Sequence, residues 1–468
     1  MEIIRSLFFF LVAIIVLVGF HEFGHFITAR LCGVKVLRFS LGFGKVIFAK
    51  TGSDGCEYAI SLIPLGGYVK MLDRREGEVK DEEAAHEFTS QSVWKRLAIV
   101  AAGPVFNIIL AFFLYWAMYV MGVAAVKPYL TGIIQQSAAW EAGLRNDDLI
   151  LEVDGREVAD WEDAIYELIQ HVGDEKLELK VRSASGIEAM RSLDISGWSI
   201  HRDQMANVFS QLGFNPKYFN ISNRIAAVMD DSPARKAGLE AGDEILSVDG
   251  RSMASWYDFS DYVAKHPGAT VNVRVSRPLI PDGAKPDDNS LDLDALPSDI
   301  MDFSVSLTSV GEGEKRRGQI GVAAWRTPLD KGVRFVRKYG PFEAAGKSLD
   351  KMVAVCRLTV VTIGKLISGS IPADNISGPI AIAKSAGITA EIGIEYFLGF
   401  MALISINLGI MNLFPLPVLD GGHIMFYAIE AAVRRPLPDK VMQWLMYFGI
   451  FVLLLIMVLA VYNDLVYD

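Results

Sequence analysis

Residues 3–29 form an apolar run long enough to cross a bilayer as one helix, and His21-Glu22-Phe23-Gly24-His25 lies inside it. Ionisable groups within such a run are costly and are kept there for a task. On a helix, H-E-x-x-H sets two imidazoles one turn apart on the same face. Both can then grip one zinc ion while the neighbouring glutamate serves as a base. A fold for this chain must therefore bring at least one more ligand to this helix inside an apolar layer.

Hydrophobic residues make up 51% of the 468 and the mean hydropathy is +0.30. That is too apolar for an ordinary soluble enzyme, yet the chain carries too much charge to be membrane throughout. Further apolar runs at 97–126, 396–413 and 441–462 bring the expected spans to four. The stretch between the second and third is polar, alternating and punctuated by glycine, as an aqueous insert would be. The first run is too long for a signal peptide, no small-x-small site follows Phe20, and cleavage would discard HEFGH, so a retained helix is expected. Basic residues crowd the loop from Arg30 to Arg96 and recur as Arg434, Arg435 and Lys440, which places both loops on the cytoplasmic side and the insert outside. The bilayer is then the chain's environment, and a net charge of −10 argues against a nucleic-acid partner. Cys32, Cys56 and Cys356 imply no disulfide framework and read as packing residues.

Within the insert, residues 137–155 recur as 232–250 with about half the positions identical, a duplicated domain. Each copy reads as a short helix, a glycine turn, and a strand closed by an Asp-Gly turn, followed by a charged helix at 161–170 or 256–265. Leu212-Gly213-Phe214 and Ile320-Gly321-Val322 end the copies, and 281–299 is a Pro/Asp/Ser-rich surface insertion. The repeat pattern resembles bacterial PDZ domains. That resemblance implies grooves that take an extended peptide as an added strand; spacers or steric gates are the alternative.

A hydrolytic zinc site takes three protein ligands and keeps one position open. Asn412-Leu-Phe-Pro415-Leu-Pro417-Val-Leu-Asp420-Gly421-Gly422-His423 closes the third run and supplies a candidate, Asp420, with His423 as a rival. Two prolines break the helix there, and irregular backbone at membrane depth is tolerated where it lines a cavity. For Asp420 to reach the level of HEFGH, an even number of crossings must separate them. Residues 352–367, with Arg357 and Lys365, are accordingly expected as an amphipathic helix on the outer surface, joined by a Ser377-Gly378-Pro379 loop to the third span. The first cytoplasmic loop has strand character at 34–39, 45–50 and 58–63, with Ser53-Asp54-Gly55 as a turn.

HEFGH, Gly103-Pro104-x-x-Asn107, Asn412-x-x-Pro-x-Pro-x-Leu-Asp420-Gly and the tandem repeat together resemble the site-2 protease family, from Met1 through the fourth span. The resemblance implies a polytopic α-helical membrane protein of four transmembrane helices, two inserted periplasmic PDZ-like α/β domains and a membrane-associated β-hairpin. Its parts fall at 1–30, 31–94 (hairpin region), 95–126, 127–217 and 218–326 (the PDZ-like pair), 327–390 (amphipathic surface helices), 391–414, 415–440 and 441–463. His21, His25 and Asp420 would bind zinc, and Glu22 would be the general base. Asn412, Pro415, Pro417, Gly42 and Gly44 would meet the substrate, the hairpin pairing its edge with an extended strand. Gly103-Pro104 reads either as a packing notch or as part of the substrate path. The implied activity is intramembrane endopeptidase action on a single-span membrane protein, an anti-sigma factor already trimmed outside, in the inner membrane. A non-catalytic PDZ scaffold with structural zinc, or a quality-control zinc protease acting in the aqueous phase, are the alternatives. The first would need a closed site with His423 as fourth ligand.

Overall fold

The computed structural model describes residues 2–75, 77–202, 208–281, 292–311, 313, 316–330, 332–435 and 437–467. Its α-helices are α1 (Glu2–Leu31), α2 (Val93–Met121), α3 (Ala138–Glu141), α4 (Trp161–Ile169), α5 (Pro233–Ala237), α6 (Trp256–Lys265), α7 (Pro341–Ser368), α8 (Pro379–Ile392), α9 (Ile394–Asn412), α10 (Asp420–Val433) and α11 (Asp439–Tyr467). Among the described residues, α1, α2, α9 and α11 are long and apolar enough to cross a membrane. The chain divides into two compact units, one of Met1–Ala124, Ile200–Met205 and Val336–Asp468, the other of Ala125–Ser199 and Ala206–Phe335.

In the first unit α2 is the central helix. Ser92 caps it, its hydroxyl accepting from the Lys95 N–H at 3.4 Å, and Gly122, at φ 96°, ends it. α1 runs antiparallel to it, His25 meeting Ile99 and His21 meeting Asn107. α9 is also antiparallel to α2: Gly409 lies against Pro104, Ser405 donates to the Asn107 carbonyl at 2.7 Å, and Gly399 lies against Met118. Two helices each antiparallel to a third are parallel to one another. The C-terminal ends of α1 and α9 therefore reach the same end of α2, as the crossing-number argument requires.

The 327–390 region departs from expectation. α7 is one 28-residue helix, started by Pro341 and stopped by Gly369 at φ 81°. It packs along α2 and α9, with Trp116 Nε1 donating to the Pro341 carbonyl at 2.8 Å and Thr359 Oγ1 donating to Asn407 Oδ1 at 2.7 Å. Ala344, Ser348, Lys351 and Val355 are buried while Phe342, Leu349, Val353 and Val360 are exposed. Two-facedness was legible in the sequence; what the buried face meets was not. Pro379 belongs to no loop but opens α8, which packs on α1 and α9 through Ala386, Ala13, Phe397 and Met401. Gly387 there lies so close to Ser6 that a Cβ would stand 2.8 Å from its Cα.

Ile200–Arg202, expected in the first repeat, belong instead to this unit. Arg202 pairs with Asp464 of α11 at 2.9 Å, and the same carboxylate accepts the N–H groups of Gly378, Ile380 and Ala381 at 2.8–3.1 Å, capping α8. Neither residue was singled out from the sequence, because a lone acid near the end of an apolar run gives no hint of its partners.

Two long strands, β1 (Val36–Thr51) and β2 (Glu57–Met71), follow α1. Each bends midway: residues 38–41 pair with 67–70 on one side and with 57–60 on the other, while 46–51 pair with 57–61. Gly42 (φ 93°), Gly44 (φ 84°) and Gly66 (φ 148°) take the backbone through the bends.

Among the described residues the second unit holds two larger antiparallel sheets and two short antiparallel pairs, Leu130–Thr131 with Asn215–Pro216 and Thr308–Val310 with Arg317–Gln319. In the first larger sheet, Leu149–Val153 lies between Arg156–Glu157 and Lys176–Arg182, which pairs outward with Glu188–Asp194. In the second, Ser298–Ser306, Thr270–Pro278, Glu244–Val248, Asn220–Val228 and Val322–Thr327 are neighbours in that order. The expected insertion at 281–299 lies outside the described residues over 282–291, and its end is a paired strand. Asp154-Gly155 and Asp249-Gly250 are the predicted two-residue turns, with positive φ at both positions. Ser137 caps α3 and Ser232 caps α5. Gly213 and Gly321, at φ 88° and 81°, sit against those serines with no room for a Cβ. The duplication thus extends from sequence to local geometry.

Candidate metal centre

His21, His25 and Asp420 each offer one ligand atom, and these atoms lie within 4.8 Å of one another. His21 Nε2 and His25 Nε2 are 3.2 Å apart, and Asp420 Oδ2 is 3.1 Å from the first and 3.5 Å from the second. Zinc ligands about 2.0–2.1 Å from a tetrahedral ion stand about 3.3 Å from each other. Two nitrogens and one carboxylate oxygen at these spacings fit zinc. His423, the rival ligand, is not in the group; its ring stacks on Tyr427 with centroids 6.4 Å apart.

Each ligand has its place for a reason readable in the local chain. Four-residue spacing on α1 sets the two rings on the face toward α2. On the Asp420 side α9 stops at Asn412, Pro415 and Pro417 forbid its continuation, and α10 starts at Asp420. The turn is so tight that a Cβ on Gly421 would stand 2.3 Å from the Leu413 carbonyl oxygen, and one on Gly422 2.3 Å from that of Leu416.

Three further residues shape this site in ways the sequence did not specify. Gly103 is the notch that holds the imidazole pair: a Cβ there would stand 2.3 Å from His25 Nε2 and 2.8 Å from His21 Cε1. Gly103 thus has a packing role against the two rings. Asn107, fully buried, brings its amide Nδ2 within 3.2 Å of His21 Nδ1. Gly67 of β2 faces Glu22, where a Cβ would approach the glutamate Cγ to 3.0 Å. The spacing of Gly103 and Asn107 repeats that of His21 and His25, the one signal that could have found them.

Glu22 is half-buried beside the hairpin. The expected substrate residues are less closely gathered. Asn412 is half-buried at the end of α9, Pro415 is exposed, and Pro417 is buried against Gly449 of α11. Gly42 and Gly44 lie in the bend of β1, and the neighbouring Leu41 touches α1 at Gly19.

Residues 9–456 match the family model described as peptidase family M50. The chain belongs to peptidase family M50. It is 42% identical over 457 residues to the regulator of sigma-E protease RseP of Escherichia coli K12, covering 97% of each chain. It is 40% identical over 465 residues both to a Vibrio cholerae protein named as a zinc metalloprotease and to the protease RseP of Yersinia pestis, covering 99% of each chain. An M50 member with these relatives is a site-2-type zinc metalloprotease and a membrane protein, with zinc as its cofactor. The scaffold alternative does not survive that membership.

Proposed function

We propose that this M50 protease hydrolyses a peptide bond in or near the transmembrane segment of a single-span membrane protein, using His21, His25 and Asp420 as zinc ligands and Glu22 as general base. The observation that carries the reading is the convergence of those three ligand atoms between helices apolar enough to span a bilayer. When bound, zinc supplies Lewis acidity toward the scissile carbonyl and acidifies a nearby water. Glu22 takes the proton from the attacking water and later delivers it to the leaving amine nitrogen as the C–N bond breaks. The Asn412 amide donates to the oxyanion that develops on the carbonyl.

A helical substrate hides its carbonyls in its own hydrogen bonds, so the reacting segment must be drawn out. The bent β1–β2 sheet offers an edge for an extended strand, with Gly42 and Gly44 permitting its curvature and Pro415 and Pro417 shaping the opposite wall. The basic loops 30–96 and 434–440 face the cytoplasm in this reading, and the insert is a periplasmic pair of PDZ-like domains in the inner membrane. The pair excludes partners whose outer domain is intact, and the substrate is an anti-sigma factor already trimmed outside. The Escherichia coli relative, named as a regulator of sigma-E protease, supports that choice.

Glu22→Gln tests the reading in purified protein reconstituted with a single-span substrate. Cleavage is expected to fall by about 10²–10⁴-fold with zinc content unchanged, and undiminished cleavage by the zinc-loaded variant would end the proposal. Labelling of Phe23→Cys separates action within the bilayer from the quality-control alternative: ready modification by a membrane-impermeant thiol reagent from the aqueous phase would favour the latter.

A further inference from the structure

For two imidazoles to present Nε2 to one cation, both must carry their proton on Nδ1, and each Nδ1–H then needs an acceptor. His25 has one: the Ile99 carbonyl lies 2.8 Å from its Nδ1 and can only accept. The group facing His21 Nδ1 is the Asn107 amide, at 3.2 Å. Asn107 is wholly buried, and its other amide atom has no hydrogen-bond partner among the described residues. A buried amide with only one partner is costly to keep. Its one partner is the metal-facing histidine. Backbone contacts hold it there, since the Asn107 carbonyl accepts from Ser405 Oγ of α9 at 2.7 Å. α9 is the helix that leads into Asp420, so Asn107 ties its side chain to one ligand arm and its backbone to the other.

Building on the metal-centre reading above, we infer that Asn107 is the positioning residue that fixes His21 in its Nε2-coordinating tautomer. The two ends of an amide are told apart only by what they bond. Against an Nδ1–H donor, the end facing His21 is the oxygen. The carbonyl of Ile99 and the side chain of Asn107 then do the same work for the two histidines, one from backbone and one from side chain. This explains why α2 carries a polar residue at this depth, four positions after the glycine that makes room for the rings.

The experiment measures zinc affinity by chelator competition, and the d–d spectrum of the cobalt(II) form, on detergent-purified full chain with folding checked by thermal melting. Asn107→Leu and Asn107→Ala, which remove the acceptor, are expected to weaken zinc binding about 10–100-fold and to alter the cobalt spectrum. Asn107→Asp, which keeps an acceptor, should hold affinity within about threefold. Zinc binding by a folded Leu or Ala variant within twofold of the parent would overturn the inference. His21→Ala separates this from failure of the centre itself: if that variant also binds like the parent, the ligand assignment falls, whereas loss there with none at Asn107 sinks only the positioning role.

Discussion

Gly103 and Gly421 of the metal centre and Gly155 and Gly250 of the insert's two-residue turns are required for opposite reasons. Gly103 and Gly421 sit in backbone any residue could adopt, but other atoms of the chain occupy the space a side chain would need. Gly155 and Gly250 have nothing within 4 Å of an added Cβ, yet their φ values of 75° and 78° are ones that L residues resist. The first kind is imposed by a distant part of the fold, the second by a dipeptide turn. The centre is therefore intolerant in a way those turns are not: its precision comes from close approach of backbone to the imidazole rings and to neighbouring carbonyls.

Gly103→Ala is the sharpest way to break that contrast. The new methyl would displace both imidazoles, since its nearest neighbours are ring atoms of His25 and His21. A shift of about 1 Å in such a constellation costs on the order of 10²-fold in rate. Loss of at least that size in cleavage of a single-span substrate, with zinc affinity reduced alongside, is expected. Activity within a few-fold of the parent would show that the rings can move aside and that the notch is not a constraint. Gly421→Ala follows, as the same steric argument on the Asp420 arm, where the obstacle is the Leu413 and Phe414 carbonyls rather than flexible rings. Here the turn itself must open, and loss of zinc should come with a lower melting temperature, which separates it from Gly103→Ala.

Gly250→Ala sharpens the comparison from the other side. It forces an alanine into the left-handed region at a cost of about 1–2 kcal/mol, with no steric clash. A modest fall in the insert's stability to denaturant is expected, with zinc affinity unchanged. Loss of zinc from this variant would mean that the two regions are not independent in the way their glycines suggest.

The same division decides what could be read in the sequence. Asp154-Gly155 and Asp249-Gly250 announce their turns because the dipeptide itself dictates the conformation. HEFGH and the Asp420 segment announce themselves because ionisable residues in apolar runs have few innocent explanations. Gly103 and Asn107 were visible as a motif, but their roles depend on which helix lies opposite, and that is a property of three-dimensional packing. α7 illustrates the limit again: its two faces could be counted, whereas the neighbours of the buried face, α2 and α9, are set by chain segments far away. Arg202 and Asp464, 262 positions apart, carry no local signal at all.

A third kind of constraint holds the loop between β2 and α2, and it responds to neither sterics nor backbone freedom. Glu87 is buried, accepting from the Arg74 N–H at 2.9 Å, from its guanidinium at 2.6–2.7 Å and from the Thr89 hydroxyl. Burial alone would raise its pKa, but these bonds outweigh it and hold the group down at about 2, against 4.5 for a free glutamate. A depressed folded-state value means that the stabilisation is fully present above about 4.5 and is lost as pH falls through about 2. Exchange of the Arg74 amide hydrogen should therefore be slow at pH 6 and, corrected for intrinsic rates, lose protection as pH is lowered through that window. Glu87→Gln should show weaker protection that no longer changes with pH. Equal pH dependence in the variant and the parent would assign the effect to another group and remove charge from the list of what orders this loop, leaving the metal centre's steric fit unaffected in either case.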